Sequence, residues 1–449
     1  QDSKQITDKY FFDFDISIPT PAFNKKKGFT KYDEMMFFLD ELKSIYGNVF
    51  TCKFIGESQK GKQIPMVFIG DSSSSNMKVC FMGGLHGNEP ASTEGMLFLI
   101  NNLLKEDSLK KLLNNLNIAI IPMANIDGYE KQSRYAANGQ DLNRDHTKLS
   151  NPETNFFKKA ITEFEPDVMV DFHEYKPYRV DFVNFGDYGT TSMFDCMFLY
   201  SGNLNVCPRI KQTVEEVYLP SAKQQLDKYG LKYHNYLSSK HKNNKVYFNL
   251  GSVSPRSSAT SFALGNSISM LMEVRGVGLN RKSFKRRVFT TYLLANSFLE
   301  TSLKESSLVK QEIENCNSFP DEIVVKYQKE KSNYQLDMID VYKNEVIPVD
   351  VLLYNGLKCN SKVTRQRPKY YIIESDLSVV VDKLKVLGLD VDTLIYDELL
   401  QVESFHIISE EKSPELFQGF HENIVTANLI NQERLFKKGT FIVPMDQRR

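Results

Sequence analysis

The chain has 449 residues, long enough for two or more domains of roughly 100–200 residues each. Lys+Arg and Asp+Glu balance at 56 each, so no basic excess points to nucleic acid or to an anionic membrane surface. Hydrophobic content of 41% and charged content of 25% are ordinary for a globular protein, and no apolar run approaches the ~20 residues of a membrane span.

Residue 1 is Gln, which suggests a processed or trimmed chain and favours an exported protein, periplasmic or extracellular, over a cytoplasmic one. The pattern then alternates. "KVCFMGG" (78–84) reads as a buried strand, and "ASTEGMLFLINNLLK" (91–105) as a helix with Ser, Thr and Glu at its start. "NIAIIPMAN" (117–125) is a second strand and "NPETNFFKKAITEF" (151–164) an amphipathic helix. "PDVMVDFHEY" (166–175) and "SISMLMEVRG" (267–276) are two further strands, followed by a long helix over 283–304. This predicts an α/β fold, a mixed and mostly parallel sheet with helices on both faces.

After "CNSFPDEIVV" (316–325) the pattern changes. Strands are expected over 345–355, 369–375, 404–414 and 439–445, and a helix over 376–391. The expected division is a catalytic domain over 1–318 and a smaller C-terminal α/β appendage over 319–449, to which no chemistry can be assigned. Six cysteines form no Cys-x-x-Cys pair, so a thiolate zinc site is not expected. Cys196 and Cys207 are spaced to close a short disulfide loop in an exported protein, with free buried thiols as the alternative.

The polar residues gather where strands end. The first long strand runs into His86 and Glu89, the second into a loop rich in Asn, Gly and Arg, the third into Asp171, His173 and Glu174, and the fourth into Glu273 and Arg275. Open α/β sheets bind ligands outside the carboxyl ends of their strands. Two imidazoles and one carboxylate, from His86, Glu89 and His173, are a catalytic zinc donor set that leaves a position for water. Gly87 would let His86 and Glu89 converge in a tight turn. Glu273, in an apolar stretch, suits a general base, because apolar surroundings raise a carboxyl pKa towards working pH. Each residue alone has a plainer reading: a polar turn, a strand-end histidine, a buried acid paired with Arg275. Their joint placement favours the metal.

Over about residues 30–305 these residues resemble the zinc carboxypeptidases of the carboxypeptidase A-like class. "GESQKGKQIPMVFIG" (56–70), "GGLHGNEPASTEG" (83–95), "SRYAANGQDLNRDH" (133–146), "DVMVDFHEYKPYRVDF" (167–182) and "ISMLMEVRGVGLNRKSFKRRV" (268–288) resemble the family's segments and stand in its order. The resemblance implies one Zn2+ held by His86, Glu89 and His173, with Glu273 activating water at the C-terminal peptide bond of a peptide substrate. It implies Arg134 as the cation at the scissile carbonyl, and Asn143 and Arg144 as the holders of the substrate's free C-terminal carboxylate. Arg256 falls near the segment that shapes side-chain specificity and would favour an acidic side chain if it faces the pocket.

The chain departs from the pattern in two places. The stretch 248–266 lacks the family's mobile tyrosine, Tyr247 lying just outside it, and Glu174 follows the zinc histidine where a small polar residue is usual; pairing with Arg179 or lining the pocket would explain it. Two rival functions stay open at this point. A zinc amidohydrolase of N-acyl amino acids shares the HGNE-like and DLNR-like segments, and a non-catalytic peptide-binding relative shares the fold.

Overall fold

The computed structural model describes residues 3–70, 76–242, 245–318, 320–417 and 420–447. Eight strands build the main sheet: β1 (Phe50–Glu57), β2 (Gln63–Ile69), β3 (Met77–Met82), β4 (Leu116–Ile121), β5 (Val168–Tyr175), β6 (Cys196–Tyr200), β7 (Tyr233–Asn235) and β8 (Ile268–Arg275). Their order is β1-β2-β4-β3-β5-β8-β6-β7. The central pairs β3–β4, β3–β5 and β5–β8 are parallel; β1–β2, β2–β4 and β6–β8 are antiparallel. Every residue of β4 and β5 is buried, as expected of strands covered on both faces. The expected mixed, mostly parallel α/β sheet is the fold observed.

Side chains alternate along a strand, and this alternation assigns each face its partners. On β8, Leu271 and Glu273 share one face, where the helix Ser258–Leu264 packs Ala259 against Leu271 and Leu199. The opposite face of β5 carries Glu174, which meets Arg287 of the helix Phe284–Lys304. That helix lies against the helix Pro90–Lys105 so closely that a Cβ on Gly95 would fall 2.3 Å from Thr291 Cγ2.

The C-terminal part is shared between two compact units. The boundary expected at 318/319 falls at residue 319, outside the described residues. The first compact unit continues to Arg367, with 386–388 joined to it; the second holds 368–385 and 389–447. The reason is packing. Glu322–Asp340 and Glu345–Gln366 form a long antiparallel hairpin whose Leu336, Met338, Val349, Val351 and Leu353 belong to the main core. It joins Thr190–Ser192, Lys245–Leu250 and Leu237–Lys242 in a second, five-stranded sheet. The second unit holds a three-stranded sheet, all but the last residue of a helix over Ser378–Val386 that is shorter than the expected 376–391, and a two-stranded ribbon, Glu398–Phe417 with Phe420–Phe436.

The disulfide also differs. Cys207 pairs with Cys316, 109 residues away, and Cys196 lies free and buried within β6. The expected Cys196–Cys207 link fails because Cys196 begins a strand of the main sheet. Cys207 caps the short helix Pro208–Thr213, which packs beside the helix Ser306–Glu314 that leads to Cys316.

Candidate active site

The turn after β3 is built from glycines. Gly84 has φ +66°, a left-handed conformation that costs glycine little, and its amide donates to Ser92 Oγ at 2.9 Å. A Cβ on Gly87 would stand 2.0 Å from the Gly128 carbonyl carbon, so no side chain fits there. Pro90 then opens the next helix, where its fixed φ and missing N–H cost nothing. The result is a tight turn that aims His86 and Glu89 the same way.

His86, Glu89 and His173 are all buried and each offers a ligand atom within 4.8 Å of the others. His86 Nδ1 lies 2.8 Å from Glu89 Oε1, His173 Nδ1 lies 2.8 Å from Glu89 Oε2, and the two Nδ1 atoms are 3.0 Å apart. The other ring nitrogens face carboxylates. His86 Nε2 is 3.1 Å from Asp141 Oδ1, and His173 Nε2 is 2.8 Å from Asp171 Oδ2. Those carboxylates hold a proton on each Nε2 and turn both Nδ1 lone pairs inward, the arrangement of metal-ligating histidines.

The electrostatics call for a cation at this point. Burial alone would raise the Glu89 carboxyl, yet His86 and His173 hold it well below the usual carboxylate range. Burial works against charge on His173, but Asp171 and Glu89 push its pKa well above the ordinary value. A proton meets that demand in the metal-free protein, and a divalent ion with nitrogen and oxygen donors meets it better. The residues present therefore fit zinc.

Asp141 organises the opposite wall. Its Oδ2 accepts from Arg134 Nε at 3.1 Å and Nη2 at 2.9 Å, and its Oδ1 also accepts from the Asn143 amide at 2.9 Å. Arg134 Nη1 stands 3.7 Å from Glu89 Oε1, with the guanidinium about a third exposed. Asn143 is buried and its Oδ1 accepts from the Ser258 amide at 2.9 Å; Arg144 is half-buried beside it and donates from Nη1 to the Asn143 carbonyl at 2.6 Å. His146, next in the same segment, is buried between Phe157 and Phe262 and takes no part in the cluster.

Glu273 is directly opposite His173 across the parallel β8–β5 pair and so shares its face of the sheet. It is half-buried and has no hydrogen-bond partner among the described residues. Burial first, and then the Glu89 carboxylate, push its pKa up to about 7 against the opposing pull of His173, His86 and Arg134.

Two of the sequence alternatives are corrected. Glu174 pairs with Arg287, whose Nε donates to Oε1 at 2.7 Å, rather than with Arg179; the strand's alternation turns Glu174 away from His173. Arg275 does not pair with Glu273 but donates to the Ser192 carbonyl and Thr191 Oγ1. Arg256 is half-buried two residues before Ser258, its carbonyl accepting from the His146 amide at 3.3 Å.

Sequence reasoning missed Asp141, Ser258 and Tyr236, and saw Asp171 only as a strand-end acid without its role behind His173. Tyr236 sits between β7 and Leu237–Lys242, packed against Leu199, Ala259 and Leu271. Burial pushes its hydroxyl up to about 12, and the charges acting on it are those of Glu273, Arg179, Arg134 and Arg144, which puts it beside the site. Tyr247, by contrast, stacks edge-on with Tyr354.

Comparisons with known proteins point to one family. A model of the zinc carboxypeptidase family matches residues 35–295, more than half of the chain. "Probable carboxypeptidase 2" of Trichophyton verrucosum is 26% identical over 407 residues, covering 87% of this chain and 78% of that protein. Human carboxypeptidase D is 31% identical over 150 residues, covering 29% of this chain and 11% of that protein. The crystal structure of carboxypeptidase A from Helicoverpa armigera is similar with a TM-score of 0.49 and 19% identity, covering 64% of this chain and 78% of that one. This chain belongs to the zinc carboxypeptidase family and is a metallocarboxypeptidase, a hydrolase of peptide bonds.

Proposed function

We propose that His86, Glu89 and His173 hold one zinc ion per chain and that Glu273 is the general base of a carboxypeptidase acting on peptides with a free C-terminus. The observation that carries this reading is the pair of inward-facing Nδ1 atoms and the Glu89 carboxylate, 3.0 Å or less apart, with an unpartnered Glu273 across one strand pair. Zinc at that point supplies a Lewis acid for the scissile carbonyl and lowers the pKa of water.

The chain's own groups do the rest. Arg144 and Asn143 hold the substrate's terminal carboxylate, for which a guanidinium is an always-charged clamp. Arg134, steered by Asp141, offers Nη1 to the carbonyl oxygen as negative charge develops there. Glu273, its carboxyl raised by burial and the nearby Glu89 carboxylate, takes a proton from the attacking water and returns it to the departing amine.

Two finer expectations follow. The terminal side chain lies against the apolar surface of Leu199, Ala259 and Leu271 with Tyr236, the first three buried on the same sheet face as Glu273. That surface favours an apolar C-terminal residue over the acidic one that Arg256 would select. The Cys207–Cys316 disulfide supports export to an oxidising compartment. The direct test compares hydrolysis of a blocked dipeptide with a free C-terminus against an N-acyl aspartate or glutamate. The carboxypeptidase reading expects the dipeptide to be cleaved faster, with activity lost to chelator and restored by zinc; preference for the acyl amino acid contradicts it.

A further inference from the structure

Ser258 makes two hydrogen bonds that run to opposite sides of the site. Its amide donates to Asn143 Oδ1 at 2.9 Å, and its Oγ donates to Asp171 Oδ2 at 2.6 Å. The same Asp171 oxygen faces His173 Nε2 at 2.8 Å. Ser258, Asp171 and His173 are each 1% exposed and Asn143 is 4% exposed, so water does not compete for these bonds.

We propose that Ser258 is a positioning residue that couples the segment holding the substrate carboxylate to the metal ligand His173. The proposal rests on the roles given above to Asn143 and His173. Asp171 and His173 are two apart on β5 and so share a face, which fixes their separation but leaves the carboxylate plane free to rotate. Asp171 Oδ1 is buried without a hydrogen-bond partner, so among the described residues the Ser258 hydroxyl is the second group, after His173, that holds the carboxylate, and it does so at the same Oδ2. Ser258 is the first residue of the helix Ser258–Leu264, and its amide has no partner within the helix. Asn143 supplies that partner from the 141–146 segment. One residue thus locks the rotamer of a carboxylate behind the metal and the rotamer of an amide beside the substrate.

A carboxylate behind a ligating histidine sets its tautomer and orientation, and loss of such support costs 10–100-fold in metal affinity or activity. Ser258→Ala removes the hydroxyl and keeps the amide. It is expected to weaken zinc binding about 10-fold, measured by chelator competition on the apoprotein. It is also expected to raise KM about 2–10-fold with little change in kcat at saturating zinc: the amide bond to Asn143 remains, but without its anchor on Asp171 residue 258 no longer holds that amide in place. Ser258→Thr keeps a hydroxyl and is expected to restore both. Asp171→Asn should weaken zinc at least as much. A Ser258→Ala protein with wild-type zinc affinity, or with zinc affinity lost and KM unchanged, overturns the coupling. Failure of the wild-type chain to bind zinc would instead overturn the metal reading itself.

Discussion

Glu273 and His173 are register partners on two adjacent parallel strands, and that pairing places the proposed base and a proposed metal ligand on one face of the sheet without help from any loop. The other donors arrive on a turn that only glycines can make, at Gly84 and Gly87. In the proposed function, strand ends hold the chemistry and the 133–146 segment brings the substrate to it.

Glu273→Gln keeps the shape of the side chain and removes the base. Turnover is expected to fall about 10²–10⁴-fold with zinc content unchanged. The same substitution has a signed effect on the metal-free fold. A carboxyl whose pKa is raised to about 7 in the folded state has no effect below its unfolded value, costs stability progressively as pH rises between the two values, and costs the full amount above 7. The metal-free variant should therefore be more stable than the metal-free parent at pH 8, on the order of 2 kcal/mol, and equal to it at pH 4. Denaturant melts at the two pH values measure this; equal stability at both removes the ionised, poorly solvated Glu273.

The pH profile follows from the same group. The base must be ionised, so kcat/KM should rise with pH along a limb at or below pH 7, since the positive charge of bound zinc lowers the value of about 7 found without it. Zinc itself should bind more weakly as pH falls, because a proton on His173, whose pKa is raised, competes for the same nitrogen. Rates measured from pH 5 to 9 at saturating zinc, beside a zinc titration at each pH, separate the two; a flat kcat/KM contradicts the assignment of Glu273.

The Glu174–Arg287 pair is a structural support rather than part of the chemistry. Both side chains are buried, Glu174 Oε2 accepts from the Ala91 amide at 3.1 Å, and the Glu174 amide donates to Glu89 Oε2 at 3.0 Å. Burial raises the Glu174 pKa, opposed by Arg287. Arg287→Leu leaves a buried carboxyl unpaired and is expected to cost about 3–5 kcal/mol, seen as a lower melting temperature. Glu174→Gln in the Arg287→Leu background should recover part of that loss; no recovery would mean that the arginine acts through packing alone.

Cys207–Cys316 spans 109 residues, and a cross-link over a loop of that length stabilises by about 4–5 kcal/mol in the chain-entropy model. Cys316→Ser should lower the melting temperature and leave KM unchanged. A count of six reactive thiols in the denatured, unreduced protein would show that the link does not form.

Substrate preference tests the apolar wall. Peptides ending in Leu or Phe should be cleaved about 10–100-fold faster than those ending in Glu, the range set by burying one such side chain. A preference for Glu, lost in Arg256→Ala, would return specificity to Arg256.

Much of this was legible in the sequence because it is written in local patterns. The buried strand "NIAIIPMAN", the helix starting after Glu89 and the strand ending in His173 carry their signals within ten residues, and the ligands sit at their ends. What was not legible depends on contacts far apart in the chain. The 322–366 hairpin joins the main core through side chains such as Leu336 and Val349, which no local period connects to it. Arg287 finds Glu174 113 residues away, and Cys316 finds Cys207 across 109. Asp171 was visible as a strand-end acid, but its role depends on Ser258, 87 residues later. Tyr236 lies outside the 248–266 stretch where a tyrosine was sought, and packs on Leu199, Ala259 and Leu271 just after β7.

The central claim is that His86, Glu89 and His173 hold the catalytic metal in front of Glu273. An anomalous difference map from crystals of the zinc-loaded protein, collected on both sides of the zinc absorption edge, tests it most directly. The expected result is one peak per chain about 2.0–2.2 Å from His86 Nδ1, His173 Nδ1 and the Glu89 carboxylate. A zinc peak elsewhere on the chain, with none between these three side chains, would contradict it.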